Sequence, residues 1–254
     1  MKILLTNDDG IYSKGIYALY EKLTEIAEVV VVAPITEQSA VGHAITISDP
    51  LRIYEVTRKN KFFGYGVKGT PADCVKLAFD DILTTKPDLV VSGINHGANL
   101  SSNVIYSGTI SAATEGAMMG VKSFAISLAS VEYSDFSVAA QFGKFFAKYL
   151  HELDVGENLL FNINVPPLKR EEIKGWKFTV QGRTKYLDTF EKRVDPRGNT
   201  YYWLTGEKIE VESVDESDDK AINNGYISVT PLKYDMTNYN FFNKVKMEVQ
   251  EWEE

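Results

Sequence analysis

The chain has a single cysteine, Cys74, in 254 residues, which excludes an intramolecular disulfide framework and suits a reducing compartment. It has only three histidines, and none is spaced to form a metal-ligand pair with another histidine or with Cys74, which argues against a zinc site. No run approaches the ~18 consecutive apolar residues of a membrane span, and the opening MKILLTN reads as a strand rather than as the apolar core of an export signal. The expected location is the cytoplasm, with no membrane attachment. Basic residues are outnumbered: the net charge is −8 and no Lys/Arg cluster reverses it locally, so a nucleic-acid polymer is not an expected partner. A small anion would need a focused site built from a metal ion or aimed backbone amides. The sequence contains no G-x-x-x-x-G-K-[ST], which disfavours a P-loop kinase or ATPase, no G-x-S-x-G, no internal repeat and no low-complexity segment.

What is present is enough apolar residue, 44%, to bury one large core. The first half alternates buried-strand runs with amphipathic helical patterns, the signature of a mostly parallel sheet covered on both faces. KILLTN is the first strand, Ile16, Leu19, Leu23 and Ile26 form a helical stripe, and EVVVVAP is the next strand. AITISDPLRIYEV and KFFGYGV read as short strands extending one edge. In GTPADCVKLAFDDIL, Thr70 is placed to cap a helix whose first residue is Pro71, with Val75, Ala78, Phe79 and Ile82 facing the core. DLVVSGIN and SFAISLA are further strands, separated by SGTISAATEGAMMG, a helix with a small-residue face. Val138, Phe142, Phe145, Phe146 and Tyr149 mark another core helix, and NLLFNINVP another strand.

From Lys174 the pattern changes to irregular strands and turns such as DPRGN, rich in aromatics (Trp176, Tyr186, Phe190, Tyr201, Tyr202, Trp203). The expected division is therefore an α/β catalytic core over 1–173 and a β-rich extension with a terminal helix over 174–254, the latter a candidate oligomerisation element. A lobe folded onto its own core accounts for the same aromatics equally well. The acidic run VESVDESDD reads as a solvated loop, and Phe242, Val245, Val249 and Trp252 as a final amphipathic helix.

Open α/β sheets bind ligands outside the carboxyl ends of their strands. There the first strand delivers Asn7, Asp8, Asp9 and Gly10, the loop after Pro34 carries Ser39, and DLVVSGIN ends at Asn95. Two carboxylates, a hydroxyl and an amide carbonyl are a hard, all-oxygen donor set, suited to one Mg²⁺ or Mn²⁺ ion per subunit. Taken alone, Asp-Asp-Gly would more simply stabilise a turn; its placement beside Ser39 and Asn95 points to a cation instead. Ser107, Gly108 and Thr109 precede a helix, where amide N–H groups and the helix dipole favour an anion. Asn95 is assigned to the phosphate as well as to the metal. GYGVKG matches G-x-G-x-x-G by chance, since it does not form the first strand-to-helix turn. His43 and His96 are expected beside the site rather than as ligands, Cys74 in the core, and Glu115 in solvent.

TNDDG, QSAVGHAIT, GTPADCV, the pattern VSGIN followed by Gly97 and Asn99, and YSGTISAATEG resemble, in order and approximate spacing, the SurE (stationary-phase survival protein E) nucleotidases. NINVP and GYISVTPL extend the resemblance through most of the chain. It implies a Rossmann-like core and a divalent-metal-dependent phosphatase acting on nucleoside monophosphates, and sometimes on short polyphosphate. It also implies homodimers or homotetramers with exchanged C-terminal segments. The family's metal ligands fall on Asp8, Asp9, Ser39 and Asn95, and its phosphate turn on Ser107, Gly108 and Thr109. In one departure, Gln38 stands where many members carry a basic residue. Asp8 and Asp9 are the expected catalytic groups, through direct attack of water on phosphorus or with one of them, Asp8 for preference, as base or nucleophile. A nucleotide sensor without turnover and a metal-dependent N-ribohydrolase are the alternative functions.

Overall fold

The computed structural model describes residues 1–154, 159–209 and 214–245. β1 (Lys2–Thr6), β2 (Glu28–Pro34), β5 (Leu89–His96), β6 (Lys122–Leu128) and β7 (Leu160–Val165) are the apolar runs of the sequence. β3 (Ile53–Arg58) and β4 (Lys61–Val67) extend one edge, and β8 (Trp176–Phe178) and β11 (Ile227–Leu232) the other. Together they form a nine-stranded sheet in the order β3-β4-β2-β1-β5-β6-β7-β11-β8 among the described residues. The strands from β4 to β7 are mutually parallel; β3 and β11 join antiparallel.

Alternation of side chains along β1 sends Ile3 and Leu5 to one face and Leu4 to the other. On the first face lie α1 (Lys14–Leu23) and α4 (Ser137–Glu152), contributing Ile16, Leu19, Phe142 and Phe146. On the second lie α2 (Pro71–Leu77), with Cys74 and Val75, and α3 (Gly108–Met118), with Ala112. This is the expected three-layer, Rossmann-like core, and the expected caps are in place. Thr70 accepts from Asp73 N while Asp73 returns a bond to Thr70 N, with Pro71 at the first helical position. α2 runs into one turn of π-helix at Ala78–Ile82. The small-residue face of α3 is what allows close packing, since a Cβ on Gly116 would lie 2.6 Å from Val90 Cβ and Ser123 Oγ.

The structure departs from the sequence reading in several places. Residues 44–49 form no strand; they are spent on side-chain bonds to α2. Phe145, expected in the core, is 46% exposed, because it falls off the buried stripe that carries Phe142 and Phe146. β8 and β11 belong to the main sheet, so the sheet continues past the 173/174 boundary. The part that stands apart is the hairpin of β9 (Lys185–Val194) and β10 (Thr200–Ile209), closed by the DPRGN turn, in which Arg197 N and Asn199 N donate to Asp195 Oδ1. The acidic run does not end in solvent: Asp218 and Asp219, in α5 (Asp218–Asn223), are buried. α6 (Tyr239–Val245) buries none of its residues, and Val249 and Trp252 lie outside the described residues. Among the described residues no helix is long and apolar enough to cross a membrane.

The difference between the neighbouring phenylalanines is measurable. Phe146 is fully buried, with its ring centroid 5.4 Å from that of Phe124 and 5.3 Å from that of Phe161. Phe146→Ala should cost about 3–5 kcal/mol in urea denaturation. Phe145→Ala should cost well under half as much; equal losses would contradict this packing.

Candidate active site

β1 ends in a turn closed by Asn7, whose buried side-chain nitrogen donates to Gly10 O (3.0 Å) and Ser13 Oγ (2.9 Å). Ser13 in turn caps α1. This fixes the two residues between, Asp8 and Asp9, at the carboxyl edge of the sheet, where three other segments meet them. Gln38 N donates to the Asp8 carbonyl (2.8 Å), bringing in the loop after β2. His96 N donates to Asp9 Oδ2 (3.1 Å), bringing in the end of β5. Thr109 Oγ1 donates to Asp8 Oδ1 (2.5 Å), bringing in the tip of α3.

The expected metal and phosphate residues therefore lie on segments bonded directly to the aspartates. Asp8 is buried and Asp9 half-buried. Ser39, next to Gln38, is exposed and donates its hydroxyl to Glu37 Oε1 (2.5 Å). Asn95, next to His96, commits its side-chain nitrogen to Gly97 O (2.8 Å), which leaves its carbonyl oxygen as the group with chemistry for a hard cation. Ser107 caps α3, accepting from Ile110 N (3.2 Å), so Gly108 and Thr109 supply the first amides of an eleven-residue helix. Gly108 is required by close approach: a Cβ there would lie 2.9 Å from Asp8 Cβ and 3.2 Å from Pro71 Cγ.

Burial is the main cause that raises both carboxyl groups above the ordinary aspartate range; Thr109 partly offsets it at Asp8. Asp9 is pushed up to about 6 by burial and then by the charge of Asp8. Glu37, a carboxylate the sequence reading passed over, adds repulsion to both. Two desolvated acids beside neutral oxygen donors fit a hard divalent cation. Among the described residues no three His, Cys, Asp or Glu side chains cluster to hold a metal.

The loop carrying Ser39 is stitched down along its length. Gly42 N donates to Tyr106 O (3.0 Å), Thr70 Oγ1 to Ala44 O (2.8 Å), and Thr46 through N and Oγ1 to the two oxygens of Asp73 (2.9 and 2.6 Å). His43 Nε2 lies 2.8 Å from Glu115 Oε2, and Lys76 Nζ 2.7 Å from Glu115 Oε1. Glu115 was expected in solvent and is instead 2% exposed. Burial alone would raise its carboxyl; the bonds from His43 and then Lys76 outweigh that and hold it below the usual range. No local sequence signal marks this, because its partners are 72 and 39 positions away in the chain. His96 contributes its backbone N–H, while its ring is held by Tyr133 O (3.1 Å) and sits edge-on to Phe136. Cys74 fills core space as expected, and the GYGVKG glycines lie along and just beyond β4, away from any strand-to-helix turn at the site.

A family model described as survival protein SurE matches residues 3–188. The chain is 47% identical over 247 residues to a protein of Syntrophus aciditrophicus (strain SB) named 5'-nucleotidase SurE, covering 97% of this chain and 93% of that one. It is 49% identical to a protein of the same name from Syntrophobacter fumaroxidans, over 94% of this chain and 96% of the other. Among solved structures, the SurE protein of Aquifex aeolicus superposes with a TM-score of 0.84 at 42% identity, covering 97% of this chain and 99% of that one.

A cation that relieves two buried acids binds the folded state only, so it should raise stability. Mn²⁺ at roughly a hundred times its Kd should add about 2.7 kcal/mol, read as a higher Tm in a thermal melt. Asp8→Asn should abolish the Mn²⁺-dependent rise; an undiminished shift in that variant would place the ion elsewhere.

Proposed function

This chain belongs to the SurE family, and on that premise we propose that it is a divalent-metal-dependent phosphomonoesterase that hydrolyses nucleoside monophosphates at the Asp8–Asp9 crevice. The observation that supports this most is the seating of a helix N-terminus on a buried acid, with Thr109 Oγ1 bonded to Asp8 Oδ1. An anion-binding helix tip and a cation-demanding acid pair in contact are the two halves of a phosphate site.

When bound by Asp8, Asp9, Ser39 and Asn95, a Mg²⁺ or Mn²⁺ ion supplies the positive charge that offsets the two acids and polarises the ester. The amides of Gly108 and Thr109, with the dipole of α3 behind them, hold the phosphate oxygens and stabilise the charge that gathers on them during transfer. Ser107 shapes this turn through its cap, and Asn95 contacts the phosphate from the β5 side. Water attacks phosphorus and gives its proton to Asp8, while the bond from phosphorus to the ester oxygen breaks and the nucleoside leaves as its alcohol, its oxygen taking a proton from solvent. Polyphosphate of short length presents the same terminal group and is a second substrate class. With one cysteine in a chain otherwise free of disulfide chemistry, the enzyme acts in the cytoplasm.

The β9–β10 arm supports an oligomeric assembly. Leu187, Phe190, Trp203 and Leu204 are each more than half exposed on it, Phe190 and Leu204 being paired across its two strands. We assign the extension to exchange of C-terminal segments between copies, in a homodimer or homotetramer. Phe190→Asp combined with Trp203→Asp should shift the mass measured by light scattering towards that of one chain; an unchanged mass would remove the arm from the interface.

Activity is tested with AMP and Mn²⁺, resolving the products by chromatography. Phosphate and adenosine are expected, and both should vanish with a chelator. Free adenine would identify an N-ribohydrolase, and binding without product a sensor. Asp8→Asn should lower kcat/KM roughly a thousandfold.

A further inference from the structure

The C-terminal part of the chain is bonded to the stretch that leads into the 107–109 turn. Asp218 is fully buried, and its carboxylate accepts three backbone N–H groups. Oδ1 takes those of Gly182 (2.9 Å) and Asp219 (2.7 Å), both close to it in the fold's C-terminal part. Oδ2 takes that of Ser101 (3.0 Å), 117 positions earlier in the chain. The carbonyl of the same Ser101 accepts from Gln181 Nε2 (2.6 Å), and Ser102 Oγ donates to Thr184 O (3.3 Å). Ser101 has a φ of +53°, an unfavourable conformation for a residue with a Cβ, so it persists only where the surroundings hold it. Here both of its backbone groups are taken by the 181–218 region.

Ser101 opens a stretch of 3-10 helix, Ser101–Tyr106, that runs directly into Ser107. Tyr106 is also the residue whose carbonyl receives Gly42 N, so this stretch supports the Ser39 loop as well as the tip of α3. We propose that Asp218 is a positioning residue for the phosphate turn: by holding Ser101 it fixes 101–106, and with it Ser107, Gly108 and Thr109 against Asp8. This role rests on the reading of 107–109 as the phosphate cradle. Asp218 touches no reacting atom; its effect is on geometry, to which phosphate recognition by short, directed amides is sensitive. A carboxylate suits the task because it accepts several N–H groups at once and donates none.

Asp218→Asn isolates the link. Its carbonyl oxygen can keep the bonds from Gly182 and Asp219, while its amide nitrogen meets the Ser101 N–H donor against donor. Well below Tm and with saturating Mn²⁺, this variant should raise KM for p-nitrophenyl phosphate and Ki for inorganic phosphate about tenfold, with kcat changing less than about threefold. Amide hydrogen exchange over 101–109 should quicken. Gln181→Ala, a change at an exposed side chain, should move both constants in the same direction. Unchanged KM and Ki in an Asp218→Asn protein that merely melts earlier would overturn the proposal, since a purely structural role predicts that result. If Asp218→Asn does not fold, amide exchange of the unaltered protein decides: a Ser101 N–H protected like the sheet amides supports the proposal, and one that exchanges as fast as an exposed loop amide overturns it. Asp8→Asn run in parallel separates the two levels of inference. If the unaltered enzyme neither releases nor binds phosphate, the proposed function fails and the positioning role falls with it. If it does both and only Asp8→Asn is impaired, the positioning role alone fails.

Discussion

Two adjacent carboxylates at the end of a buried strand repel one another and resist leaving water, and much of this molecule's architecture is arranged around that conflict. Asp8 is desolvated almost completely, yet it is not left without a donor: the Thr109 hydroxyl holds one oxygen. That bond is possible only because α3 comes down onto the carboxylate with a glycine at its tip, where any side chain would strike Asp8. A single hydroxyl cannot balance the charge of two acids with Glu37 close by, so both carboxyl groups stay displaced towards their protonated forms. The arrangement is electrostatically incomplete in the protein alone, which is the conflict that the proposed cation would resolve.

An incomplete site is useful only if its parts cannot drift. The segments that bear Ser39, Asn95 and the 107–109 turn each bond to the aspartates, but each is also held from outside. The Ser39 loop is bound to α2 through Asp73 and to α3 through His43 and Glu115. The chain following Asn95 is held by a buried amide network, in which Asn99 N donates to Asn164 Oδ1 and Asn162 and Asn164 both donate to Asn99 O. The stretch 101–106 then links these supports, resting on Asp218 at one end and receiving Gly42 at the other. Side chains that never meet substrate thus set the distances among those proposed to do so.

The sequence made some of this readable and concealed the rest for identifiable reasons. The parallel core was legible because β-branched runs and a period near 3.6 are local properties, and the cap at Thr70 with Pro71 after it is local too. The meeting of the segments that carry Asp8, Ser39, Asn95 and Thr109 could be inferred without any contact information, because parallel strands deliver their carboxyl ends to one edge. Glu115 and Asp218 could not. Each is an acid that composition assigns to solvent, and each is buried by donors far away in the chain; nothing within a few residues of Asp218 distinguishes it from Asp215, which is exposed and paired with Lys220. Phe145 was misplaced for a smaller reason: an aromatic-rich helix offers more apolar residues than one face can bury.

The absence of a basic residue at position 38 also has a structural reading. The contribution of Gln38 to the site runs through its backbone N–H, which holds the Asp8 carbonyl, and a side chain of any charge leaves that bond intact. The side chain itself reaches only the nearby Thr36 hydroxyl. His43 and Lys76, which flank α3, are both engaged by the buried Glu115, so they brace the helix rather than face an arriving anion. In a chain of net charge −8, attraction of the proposed phosphate substrate would then rest on sources of short range: the aligned amides of α3 and the proposed cation. Such a site holds an anion once it has arrived and does little to draw it from a distance. Its affinity depends on the placement of a few backbone N–H groups, which gives physical weight to every buried bond that keeps the 101–109 stretch in position.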